Sequence, residues 1–168
     1  MICTKAVQVS TASARLFSCK SIASRAKFSA SIRSRRVMST SAAAREVVST
    51  ENAPGAVGPY SQAIKAGGFV YISGQVPLVP GTKDFAADDI TGQTEQVMKN
   101  IDAILTAAGS DWSKVVKTTV LLADMGDFAA MNAVYAKYFT KDPPARAAFA
   151  VKDLPLGAKV EIEAVALQ

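Results

Sequence analysis

From Glu46 to Gln168 the chain has nine lysines and a single arginine, Arg146. A guanidinium is a planar fork that grips a carboxylate or phosphate through two parallel hydrogen bonds, which a lysine ammonium cannot imitate. Ala145, Ala147 and Ala148 surround it with small side chains that leave room for a ligand. If residues 145–151 and 160–167 form a hairpin turning near Leu154-Pro155, Arg146 falls opposite Glu161. Two readings then stand side by side. One is a cross-strand ion pair, which stabilises by about 0.2–1 kcal/mol; the other is an anion clamp. Tyr60 follows the rigid Gly58-Pro59 turn and reads either as a lid over a small pocket or as a packed edge tyrosine. Ser73-Gly74-Gln75 ends a strand, where Gly74 either lets a ligand approach the main chain or only makes a turn. Asn132 shares a helix side with Phe128 and Tyr135, so its amide needs a partner, for which a loop would suffice.

Several other chemistries are closed to this segment. Both cysteines, Cys3 and Cys19, precede residue 46, and histidine is absent throughout. Thiol catalysis and disulfides are thereby excluded after residue 46, and a zinc ion would find only carboxylates and water. There is no phosphate-binding loop, dinucleotide glycine fingerprint or calcium-binding loop, so no cofactor or metal is expected.

The chain's net charge of +5 and pI near 9.3 average two unlike segments. Residues 1–45 hold six arginines, three lysines and ten serines without one acid. That composition is typical of an organellar transit peptide, so residues 1–45 read as an organellar leader, mitochondrial if the resemblance described below holds, with candidate processing sites after Met38 or near Arg45. A disordered basic arm is the alternative, and initiation at Met38 would give a cytosolic form. Residues 46–168 carry ten basic and fourteen acidic side chains, a net charge of −4 that argues against nucleic acid as partner. No stretch approaches the roughly 18 consecutive apolar residues of a membrane span.

The elements that must position these residues follow from local signals. Val47 to Thr50 reads as a short strand. Tyr60–Ala66 and Phe69–Ser73 flank Gly67-Gly68, which supplies positive φ for a two-residue hairpin. Val97, Ile101, Ile104, Leu105 and Ala108 recur at helical spacing, predicting a helix over 91–108 that stops at Gly109. Val115 to Ala123 is a β-branched run apolar on both faces, with Val116, Val120 and Leu122 on one side and Leu121 and Ala123 on the other. Asp127 is the expected cap of a second helix reaching Phe139, and Pro143-Pro144 precedes the last two strands. The order β-β-β-α-β-α-β-β is an α+β sandwich with two helices on one sheet face. The other face needs cover, and self-association is the simplest source; loops over a monomer are the alternative.

Taken in order, several segments resemble the reactive-intermediate deaminase family (RidA, YjgF, UK114), and within it the fungal mitochondrial branch. They are Thr50-Glu51-Asn52-Ala53-Pro54, Gly58-Pro59-Tyr60-Ser61-Gln62-Ala63, Ile72-Ser73-Gly74-Gln75, Val115-Val116-Lys117-Thr118-Thr119-Val120, Pro144-Ala145-Arg146 and Val160-Glu161-Ile162-Glu163-Ala164-Val165-Ala166. The resemblance implies a chorismate-mutase-like fold assembled as a homotrimer, with sites between subunits. It also implies hydrolysis of 2-imino acids, such as 2-iminobutanoate and 2-iminopropanoate released by pyridoxal-phosphate enzymes, to 2-oxo acids and ammonia. Arg146 then matches the carboxylate clamp, Glu161 the acid that positions water, Tyr60 a tyrosine from a neighbouring subunit, and Ser73, Gly74 and Asn132 the rest of the pocket. Many members carry Cys or Thr two residues after the arginine, where this chain has Ala148, leaving only main-chain groups to serve there. The rival functions are RNA cleavage, translation control or mitochondrial maintenance, and a chaperone-like scaffold with a vestigial pocket.

Overall fold

The structure, a computed structural model, describes residues 45–168. The leader reading and the Met38 start lie outside the described residues. The elements are β1 (Glu46–Val48), β2 (Ala63–Ala66), β3 (Phe69–Gln75), α1 (Ile90–Ala107), β4 (Val115–Leu122), α2 (Phe128–Tyr135), β5 (Ala145–Ala150) and β6 (Val160–Leu167). The strands form one sheet in the order β1-β2-β3-β6-β4-β5, antiparallel except for β4 and β5. Both helices pack on one face, as the alternation of apolar residues requires. Among the described residues no helix is long and apolar enough to cross a membrane.

Local signals decide most of these elements. Gly67 and Gly68 take φ of 61° and 84°, closing the β2–β3 hairpin. Asp89 caps α1 by accepting from the Gly92 N–H at 2.9 Å. At the other end Gly109 takes φ 74°, and the Gly109 and Ser110 amides donate to the Thr106 and Leu105 carbonyls. This satisfies main-chain acceptors that a helix end leaves open. Between the caps Val97, Met98, Ile101, Ile104 and Leu105 are fully buried, each burial stabilising by about 1.5–3 kcal/mol.

The expected β5–β6 hairpin does not form. β5 runs parallel to β4 with Arg146 beside Thr118, while β6 inserts between β3 and β4 and sets Glu161 beside Leu121. Arg146 and Glu161 are therefore two strands apart instead of opposite one another. The reason is hydrophobic payload. Val160, Ile162, Ala164 and Ala166 are all essentially buried, which suits a central strand, whereas the alanine-rich β5 has little to bury and takes the edge. With α2 as the crossover, β4 and β5 must run parallel.

Smaller corrections share a cause in local geometry. A bulge between Val115 and Lys117 rotates Val116 outward, away from the buried Val120 and Leu122 with which alternation had grouped it. Leu121 is half-buried, so β4 is covered on one face only within the protomer. α2 ends at Tyr135, short of Phe139, and Asp127 makes no side-chain cap. Instead Asp124 accepts from the Gly126 N–H at 2.7 Å in the 3-10 turn before the helix. Tyr60 lies in a bend before β2, its amide donating to the Gly58 carbonyl at 2.8 Å. On the helix-free face Tyr71, Phe149 and Leu167 are 48%, 48% and 43% exposed.

Candidate active site

Arg146 sits on the edge strand with its guanidinium laid over aromatic rings. Its Cζ is 4.6 Å from the centroid of Tyr135 and 5.6 Å from that of Phe128, both on α2. Nη1 donates to Asn132 Oδ1 at 2.8 Å, so the amide singled out in the sequence finds the arginine itself as partner. Beneath it Tyr135 is nearly buried and exchanges a 2.8 Å hydrogen bond with Thr118 Oγ1. Burial pushes the Tyr135 phenol up, against smaller opposing effects from the Thr118 hydrogen bond and the Arg146 charge. The remaining guanidinium donors border a groove shared with Ala136, Phe139, Pro143 and Pro144. This is a cation held in shape and open to an anion.

Glu161 belongs to a different surface, a cleft of about 390 Å³ walled by Pro54, Val57, Tyr60, Ser73, Gly74 and Leu156. β3 is irregular against β6 between Ile72 and Gln75, and Gly74 lies directly under the Glu161 side chain. A Cβ there would collide with Glu161 Oε1, so any side chain at this position would push the carboxylate aside. Burial pushes the Glu161 carboxyl above its ordinary value, and the like charge of Glu163 adds to the rise. A carboxylate raised in this way is a stronger proton acceptor, when ionised, than a free one. Ser73 Oγ donates to the Ser61 carbonyl at 2.7 Å, tying β3 to the preceding loop. Tyr60 Oη accepts from the Val57 N–H at 3.3 Å and leaves the ring, 47% exposed, at the cleft wall.

Tyr60, Ser73, Gly74 and Glu161 are thus brought together, and Arg146 with Asn132, but the two groups lie on opposite sides of the sheet. Among the described residues neither Arg146 nor Glu161 is in an ion pair, so the cross-strand pair is set aside. Ala148 lies beside Val120, half-buried against the core. The Val151 N–H donates to the Leu122 carbonyl at 2.9 Å; strand alternation then turns the main-chain groups of Ala148 outward at the sheet edge.

Three contributors escaped the sequence reading of the site. Gln62, only 5% exposed, donates through Nε2 to the carbonyls of Thr50, Ala53 and Pro54 at 3.0, 3.2 and 2.8 Å. Its Oε1 accepts from the Thr50 N–H at 2.7 Å, so one amide fixes the loop that walls the cleft. Tyr135 and Thr118 carry the arginine. Their available signals were a buried polar residue in a motif and an aromatic stripe, which read as core. Among the described residues no cluster of three or more carboxylates is placed to hold a metal ion.

The family model described as Endoribonuclease L-PSP matches residues 50–168. The chain belongs to this family, the RidA family. The RutC family protein y4sK of Sinorhizobium fredii is 59% identical over 114 residues, spanning 68% of this chain and 90% of that protein. The 2-iminobutanoate/2-iminopropanoate deaminase of Mus musculus is 51% identical over 116 residues, 69% of this chain and 86% of the relative. Among solved structures, the Rid-family protein YyfA of Yersinia pestis superposes with a TM-score of 0.72 at 48% identity, covering 74% of this chain and all of that one. The α+β architecture, two helices on one face of a mixed sheet, is therefore that of the RidA family. Deaminases of small imines are among the chain's RidA-family relatives.

Proposed function

We propose that this protein hydrolyses 2-iminobutanoate, 2-iminopropanoate and the enamines in equilibrium with them to 2-oxo acids and ammonia. It does so as a homotrimer in which the Arg146 groove of one protomer faces the Glu161 cleft of its neighbour. The observation that carries this reading is the split itself. A shaped, unpaired guanidinium and a lone half-buried carboxylate occupy separate surfaces of one protomer, each supplying what the other lacks. Apposition would also cover exposed apolar side chains such as Tyr71, Phe149 and Leu167 on the helix-free face.

The chemistry asks for orientation and charge stabilisation rather than a covalent intermediate. Arg146 grips the substrate carboxylate and sets the C=N carbon before Glu161. Glu161 takes a proton from a water molecule as its oxygen bonds to that carbon, giving a carbinolamine. That proton passes to the nitrogen to complete the amino group; Glu161 then takes the carbinol hydroxyl proton and relays it to the same nitrogen, and as the C=O bond forms the C–N bond breaks, releasing ammonia and the 2-oxo acid. Main-chain groups of Ala148 at the strand edge are placed to bind the carboxylate or the water. The similarity to named deaminases over the whole domain supports the choice of substrate.

The test is subunit complementation with imine generated in situ by a threonine dehydratase. Arg146→Ala and Glu161→Gln are each expected to be folded and inactive. Refolded together in equal amounts, they should recover about a quarter of wild-type activity, because random pairing rebuilds that fraction of composite sites. No recovery from a properly mixed trimer would overturn the composite site, and full activity in Arg146→Ala would overturn the clamp.

The family's description favours a second reading, RNA cleavage. The −4 charge of residues 46–168 weighs against it, since phosphate-backbone affinity comes from clustered cations. Residues 1–45, basic and free of acids, support delivery to the mitochondrial matrix; import of a reporter fused to them checks this.

A further inference from the structure

An arginine side chain carries roughly 2 kcal/mol of rotamer entropy, and a clamp that must first be ordered by its ligand spends binding energy on that ordering. Arg146 is on an edge strand and exposed, the setting in which such disorder is expected. Yet its Cζ lies over the Tyr135 ring, 4.6 Å from the centroid, and Nη1 is tethered to Asn132. Contact with the ring face restrains where the fork can sit, and the single tether restrains its rotation. The platform is itself immobilised: Tyr135 is 5% exposed, packs 4.6 Å from the ring of Phe139, and ends on Thr118 Oγ1. Thr118 is 1% exposed and is also the residue directly beside Arg146 in the parallel β4–β5 register. The hydroxyl that pins the ring therefore comes from the strand position adjoining the arginine it orients.

We propose that Tyr135, pinned by Thr118, is a positioning residue that pre-sets the Arg146 fork for the carboxylate of the ligand. The inference rests on the clamp role given to Arg146 above. The ring face supplies the larger part of the effect, because a guanidinium over an aromatic face is attracted to it. The phenol–threonine bond supplies the smaller part by stopping the ring from tilting.

Titration calorimetry with 2-oxobutanoate, the stable product carboxylate, reads this without the unstable imine. Thr118→Val and Tyr135→Phe each break the same hydrogen bond while keeping the ring, and should each raise Kd about threefold. Combined, they should be no worse than either alone, since they remove one shared interaction. Tyr135→Leu removes the platform and should raise Kd about tenfold or more. KM in the coupled assay should follow Kd while kcat stays within about twofold. A purely structural tyrosine would lower Tm and leave Kd alone. That outcome in Tyr135→Leu, or in Tyr135→Phe and Thr118→Val should the leucine variant not fold, overturns the inference. Arg146→Ala in the same titration separates the two readings. If it binds 2-oxobutanoate normally the clamp itself is wrong; if it fails to bind while the Tyr135 and Thr118 variants are unaffected, only the positioning role is lost.

Discussion

The Arg146 groove and the Glu161 cleft reach readiness by opposite means. The arginine is oriented by regular elements: an edge strand in parallel register with β4 and a helix whose aromatic stripe lies beneath it. The carboxylate is oriented by irregular ones, a disrupted β3–β6 register, a glycine whose missing side chain leaves space for the Glu161 carboxylate, and a loop hung from one glutamine amide. The first side derives its geometry from packed side chains and gains from added ring surface. The second derives its geometry from close main-chain approach and has no space to give.

That contrast can be broken most sharply at Gly74. Gly74→Ala puts a methyl where Glu161 Oε1 lies, and if Glu161 is the base proposed above, displacing it by about 1 Å should cost about a hundredfold in kcat/KM. Near-normal turnover in a folded Gly74→Ala protein would mean that the cleft is as forgiving as the groove. Next in size is Gln62→Leu, which leaves the carbonyls of Thr50, Ala53 and Pro54 and the Thr50 amide without their partner. Denaturant unfolding should show a loss of about 2–3 kcal/mol, the cost of orphaned buried polar groups. An unchanged midpoint would show that the loop is held by something other than this amide.

The smallest effect sharpens the comparison through pH. Glu161 has its carboxyl raised by burial and by Glu163, so the fold favours the protonated form. Ionisation therefore costs stability in full above the folded pKa, and nothing below the unfolded value, where both states are protonated. Glu161→Gln should raise Tm slightly at neutral pH, with the gain fading as pH falls through that window. A gain that persists in strong acid would point to packing instead of charge. Glu161 is expected to be a small burden on folding.

Much of the fold was legible because its signals are local. Gly67-Gly68 fixes a hairpin by itself, and the spacing from Val97 to Leu105 can only be a helix face. Strand partnership is not local. Residues 145–151 and 160–167 are close in sequence and joined by a turn-forming segment, but the choice between hairpin and crossover depends on which strand has more apolar surface to bury in the middle of the sheet. That decision moved Arg146 away from Glu161. It also hid Tyr135, whose ring meets the guanidinium only once β5 lies parallel to β4. The bulge that turns Val116 outward is likewise invisible to simple alternation. Within the site, Tyr60, Ser73, Gly74, Asn132, Arg146 and Glu161 were each recoverable through their motifs, but their division between two surfaces was not, since the sequence set Arg146 against Glu161 and left a loop as a sufficient partner for Asn132.

The edge position of β5 has one more consequence. Half of its amides and carbonyls face away from the sheet, in the same row as the residue that would greet a substrate. A solitary protomer is thus an open zipper, ready to accept whichever extended chain meets it first. Under the proposed assembly, how soon other copies arrive after synthesis decides whether that row becomes part of a shared cleft or the seed of a clump.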